Sequence, residues 1–134
     1  MLLFIDEQVG NALMDVSGLR PNIKAGVTSG GAHVHTGTSC ASTETQGGHY
    51  FRSRTYGIKK DGDPWYPQKT YIAPEGTGYT TCPLGNAKYQ EFVFNQGYGY
   101  SSTHGKVVVI HDADTTAAGY KRVACGKLIP SEPL

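Results

Sequence analysis

The histidines carry the most specific chemistry in this chain of 134 residues. His33 and His35 are separated by one residue, His49 follows the pair Gly47-Gly48, and His111 ends the apolar run Val107-Val-Val-Ile110. Side chains of an extended chain alternate between two faces, so His33 and His35 share one face of a strand while Ala32 and Val34 share the other. Two imidazoles side by side on a rigid element are the start of a metal site, and neutral imidazole is the commonest protein ligand for copper. An isolated His-x-His pair reads better as two solvated residues on an outer face. The pair therefore takes its meaning from the residues that accompany it. His104 reads as a polar residue at the start of a strand rather than as a ligand.

The elements that must position these side chains are short strands. Segments 2–8 and 11–19 read as the first two, the second with Ala12, Met14 and Val16 alternating against Leu13, Asp15 and Ser17, and Val9-Gly10-Asn11 reads as the hairpin turn between them. Further strands are expected over 31–35, 87–95, 106–111 and 121–128, with 106–111 the strongest β run. Alternation on the last strand puts Arg122 and Ala124 on one face and Val123 and Cys125 on the other. Residues 36–78 read mostly as loop, rich in Gly, Ser, Thr, Pro and Tyr, and loops of this length in a small domain are usually functional. In that loop Trp65 and Tyr66, Tyr71 and Tyr79 read as anchors that pin it to a core. Eighteen glycines, nine tyrosines and seven prolines set among short apolar runs favour a turn-rich all-β fold, and no segment shows a sustained helical period. The length fits one domain, 1–134, with its core over about 9–128 and a polar tail at 129–134.

The net charge of +1, with acidic and basic residues mixed along the chain, leaves no basic stripe for nucleic acid and no acidic tail. A small-molecule partner is the expectation. The apolar opening Met1-Leu-Leu-Phe-Ile5 is cut off by Asp6 and Glu7, short of a signal-peptide core, and no stretch is long enough to span a bilayer, so no membrane partner is expected. Cys40, Cys82 and Cys125 are too widely spaced for a Cys-x-x-Cys motif. One long-range disulfide with one odd thiol is the economical reading, and it points to an oxidising, extracellular setting.

Four blocks in order resemble the copper/zinc superoxide dismutase superfamily, and specifically its copper-only branch, which includes secreted repeat domains. Gly31-Ala-His-Val-His-Thr-Gly37 is similar to that family's G-x-H-x-H strand, and Cys40 followed by Gly47-Gly-His-Tyr50 to its disulfide cysteine and next ligand. Gly105-Lys-Val-Val-Val-Ile-His-Asp112 resembles its V-V-x-H-x strand, and Lys121-Arg-Val-Ala-Cys-Gly126 its closing R-x-A-C-G strand. The resemblance covers about residues 9–128. It implies a Greek-key β-barrel or sandwich with a shortened N-terminal strand set. It also implies copper on His33, His35, His49 and His111, a Cys40–Cys125 bridge, and Arg122 beside the copper. No histidine occurs between His49 and His104 to supply the zinc ligands of bimetallic members, and 112–121 is short where those members carry a long charged loop, so no zinc is expected. In the copper-only branch carboxylates replace the zinc ligands, which makes Asp61, Asp63 and Glu75 candidates to hold the far nitrogen of His49.

The implied reaction is the disproportionation of superoxide to O2 and H2O2, an antioxidant activity in which copper accepts an electron from one superoxide and returns it to a second, which takes up two protons. His49, as the bridging ligand, and Arg122, as a fixed cation for a small anion, are the expected catalytic residues. Two other functions fit the same resemblance: a non-catalytic structural or matrix domain, and a module that carries copper and passes it on. The short N-terminal strand set and Cys82 also allow self-association, through an unpaired strand edge or an intermolecular bridge.

Overall fold

The computed structural model describes residues 2–4, 9–19, 31–52, 65, 85–111 and 121–131. Six strands and two single-turn helices occur among them: β1 (Leu2–Phe4), β2 (Val9–Val16), β3 (Ala32–His35), α1 (Thr43–Gln46), β4 (Ala87–Asn95), α2 (Tyr100–Thr103), β5 (Val107–His111) and β6 (Arg122–Lys127). The strands form two antiparallel three-stranded sheets, ordered β1-β2-β4 and β3-β5-β6. The chain therefore passes between the sheets at β2 to β3, β3 to β4 and β4 to β5. β4, β5 and β6 lie within a residue of their sequence expectations.

Directly opposed residues of an antiparallel pair project to the same face. His33 opposes Val109 and His35 opposes Val107, so these four side chains share a face with His111. Ala32 opposes Ile110 and Val34 opposes Val108, and these pack on the other face. There Ala32, Val34 and Trp65 form a buried cluster against which Leu2, Val16, Tyr50, Val108, Ile110 and Leu128 pack, bringing residues of both sheets together. Val34 is only 1% exposed. Trp65 is equally buried and its indole Nε1 donates to the Tyr50 carbonyl at 2.8 Å, the anchoring expected of it. With aliphatic residues on one face and histidines on the other, all four residues of β3 are buried.

One expectation needs correction and another refinement. Val9-Gly10-Asn11 is not a turn but the start of β2, where Gly10 lies opposite Phe4 on one side and Phe94 on the other. Gly and Asn favour turns when nothing else claims their backbone, but here two neighbouring strands do. The stretch expected to be mostly loop from residue 36 holds one short turn of helix, α1, a refinement rather than a reversal. Ser42 caps that turn by accepting from the Thr45 backbone N–H, while the Thr45 hydroxyl accepts from the Ser42 N–H in return. One turn is too short to show a helical period, and the cap was its only sequence signal.

Candidate metal centre

The site is built on the face of β3-β5-β6 that carries His33, His35 and His111, by a segment that folds back over it. After His35 the chain continues through residues 36–50 and returns antiparallel to β3. Thr36 N–H donates to Gly48 O at 2.8 Å, Gly37 N–H to Gln46 O at 2.8 Å, and Tyr50 N–H to Val34 O at 2.8 Å. An isolated bridge pairs His35 with His49. Two glycines allow this close return. A Cβ on Gly37 would run into the carbonyl oxygens of Thr45 and Gln46, and Gly47, at φ 74°, would press one into the Thr36 hydroxyl. The Cys40–Cys125 disulfide ties the same segment to β6, with a Cα separation of 5.7 Å.

This arrangement converges four histidines from three places in the sequence. One ligand atom from each of His33, His35, His49 and His111 lies within 4.8 Å of the others, so the four could hold a metal ion. Ring centroids stand 4.3 Å apart for His33 and His49, 4.7 Å for His33 and His111, 5.1 Å for His35 and His49, and 5.3 Å for His35 and His111. The remaining two pairs, His33 with His35 and His49 with His111, are both 6.2 Å apart. Four shorter edges with two longer diagonals describe a flattened quadrilateral rather than a regular tetrahedron.

His33 is 2% exposed, and both of its ring nitrogens are buried without a hydrogen-bond partner. A buried imidazole in that state costs free energy unless something occupies a nitrogen, and a metal ion does so directly. His35 shows how a ligand is aimed: its Nδ1 lies 2.8 Å from the Gly47 carbonyl, so as a donor there it presents Nε2, which is buried inside the cluster. Burial pushes the His33 pKa well below 6.5, and the neighbouring His49, His111 and His35 push it the same way. His111 is lowered to about 4, first by burial and then by His35 and His49, against an opposing pull from the Gly31 carbonyl. Both rings are neutral at physiological pH, the form that binds a metal.

Arg122 reaches this cluster by a route that strict alternation does not give. Val109 pairs with Cys125 and Ile110 with Ala124, but a register shift between Ile110 and His111 then brings Arg122 opposite His111. The expectation that Arg122 and Cys125 project to opposite faces is thus overturned. A bulge inserts one residue, so Arg122 and Cys125 both attach to the folded-back segment. Arg122 Nη1 donates to Gln46 Oε1 at 3.1 Å and to Thr43 O at 3.2 Å, and Nη2 donates to Gly47 O at 2.8 Å. One carbonyl, that of Gly47, therefore serves both His35 and Arg122. Gln46 escaped sequence reasoning because nothing in its type or spacing marks it; only the fold places it against Arg122.

His104 lies outside the cluster, exposed after α2 with its ring stacked on Tyr100 at 5.5 Å. Asp61, Asp63, Glu75, Cys82, Tyr66, Tyr71 and Tyr79 fall outside the described residues. The chain matches no protein-family model and no curated protein.

Proposed function

We propose that this protein binds one copper ion through His33, His35, His49 and His111 and catalyses the disproportionation of superoxide to O2 and H2O2. The observation that carries the reading is the four-histidine cluster with a fixed guanidinium at its edge. All-imidazole donor sets suit copper, and the four rings are set in a flattened arrangement by their centroids, a disposition closer to the tetragonal preference of Cu(II) than to the tetrahedron zinc favours. Bound copper would supply one-electron chemistry by cycling between two oxidation states. The protein's own contributions are positional. Strands β3 and β5 fix His33, His35 and His111, the Gly47 carbonyl sets the tautomer of His35, and His49 enters from the returning segment. Arg122 attracts and orients a small anion, for which its planar, permanently charged fork suits it better than a lysine would be suited. His49 is the expected proton carrier, and the barrel of the superoxide dismutase type, with an extracellular location, belongs to the same proposal. A disulfide of this kind is typical of extracellular proteins and supports that location.

The test is superoxide consumption by the copper-loaded protein and by its Arg122→Ala variant at matched copper occupancy. The variant should lose about tenfold or more in turnover, together with much of the sensitivity to ionic strength. Unchanged activity would remove the catalytic assignment of Arg122. Absence of turnover in the loaded wild type would leave the structural domain or the copper carrier in its place.

A further inference from the structure

Among the described residues three oxygens hold Arg122, and one of them belongs to a side chain, the Oε1 of Gln46. Gln46 is the last residue of α1 and is only 9% exposed, an uncommon setting for a glutamine. None of the three acceptors is a carboxylate. Glu44, two residues earlier, does respond to the guanidinium, but its carboxyl is drawn below the usual range first by its own backbone N–H, then by the Ser42 hydroxyl, and only last by Arg122. Among the described residues, the fork of Arg122 is thus hydrogen-bonded by neutral dipoles.

We propose that Gln46 is a positioning residue for anion capture, its amide oxygen holding the Arg122 fork in place while leaving the positive charge uncancelled for a small monoanion. The identity of that anion as superoxide rests on the copper-site reading above. Holding an arginine and preserving its field are separate requirements, and few side chains meet both. A carboxylate at this position would make a shorter, charge-assisted bond to the guanidinium and would cancel its field. An apolar side chain would leave the charge but remove one contact that orients the fork. Glutamine supplies the acceptor without the charge. Its burial makes the contact durable, because water competes poorly for Oε1 there.

The variants Gln46→Glu and Gln46→Leu separate the two requirements. Azide serves as the probe, a small linear monoanion, titrated spectroscopically into copper-loaded protein at matched occupancy in low and in physiological salt. The order of the Arg122 guanidinium is measured in parallel by side-chain NMR on the metal-free protein. Gln46→Glu should keep the guanidinium as ordered as in wild type, yet weaken azide binding about tenfold and flatten its salt dependence. Gln46→Leu should mobilise the guanidinium and weaken azide a few-fold while the salt dependence persists. Azide affinity in Gln46→Glu equal to wild type, or a guanidinium as ordered in Gln46→Leu as in wild type, overturns the proposal. If Gln46→Leu fails to fold, the near-isosteric Gln46→Glu decides alone. Azide binding that depends on Gln46 in a protein that does not consume superoxide would remove the enzymatic reading and leave the Gln46 assignment standing. A protein that takes up no copper would remove the metal reading, and the metal-free NMR comparison would then decide whether Gln46 holds Arg122.

Discussion

The two sheets use the period of a strand differently. In β3-β5-β6 both faces of β3 are covered: Val34 lies in the inter-sheet core while His33 and His35 are buried on the face that residues 40–47 cross to reach β6. In β1-β2-β4 the central strand carries Leu13 at 38% exposure and Asp15 exposed, so part of that sheet faces solvent in the ordinary manner of antiparallel sheets. A metal centre needs ligands that cannot move apart, and the four histidines that could form one are assembled on the sheet whose outer face is crossed by a second stretch of chain. What makes that stretch stay is a short set of constraints: one disulfide, two glycines without room for a Cβ, and the hydrogen bonds of Arg122.

The largest effect should come from cutting the tie between that stretch and the sheet. Cys40 and Cys125 are 85 residues apart, and in the chain-entropy description closing such a loop contributes about 4.6 kcal/mol. Replacing both by serine should lower the denaturation midpoint accordingly and weaken metal binding, because among the described residues 40–49 are then tied to β6 only by the hydrogen bonds of Arg122. Urea unfolding with and without reductant measures this, and a midpoint indifferent to reduction would mean that the segment is held by other contacts.

Next in size is the contrast between the sheets themselves. Val34→Ala should cost about 2 kcal/mol, from lost burial plus the cavity left behind, whereas Leu13→Ala on β2, where more than a third of the residue is exposed, should cost about 1 kcal/mol. Equal costs at the two positions would erase the distinction drawn between covered and solvated faces.

Acid should act on the histidine side in a defined direction. The folded-state pKa values of His33 and His111 lie below 6.5, His111 at about 4. Below pH 6.5 the unfolded chain therefore binds protons that the folded chain excludes, and stability is lost as pH falls from about 6.5 towards 4. The metal-free protein should unfold at a lower urea concentration at pH 5 than at pH 7, a window above the 4.5 of an ordinary Glu carboxyl. An unchanged midpoint would mean that these histidines are not neutral and buried in the folded protein.

Several parts of the site were legible in the sequence, and the illegible parts share a physical reason. The alternation Ala32-His33-Val34-His35 and the run ending at His111 are local patterns of period two, and local pattern is what a chain shows on its face. The position of Arg122 is not local. Its side follows from a register shift between Ile110 and His111, and a bulge leaves no mark in composition. Helix α1, at four residues, is shorter than any period it could display. Gly10 and Asn11 carry turn-forming types, and their place inside β2 is decided by strands β1 and β4, one of them far along the chain.

The proposed copper site on the four histidines is tested most directly by metal content and ligand count on one sample. Protein loaded with copper, dialysed, and offered zinc should retain about one copper per chain with no stoichiometric zinc, and its paramagnetic resonance should show four nitrogen donors in a flattened field. Replacing any one of His33, His35, His49 or His111 by alanine should reduce that count by one. Fewer than three nitrogens in the wild type, or a second tightly held metal, would contradict the site described for β3, β5 and the segment that returns across them.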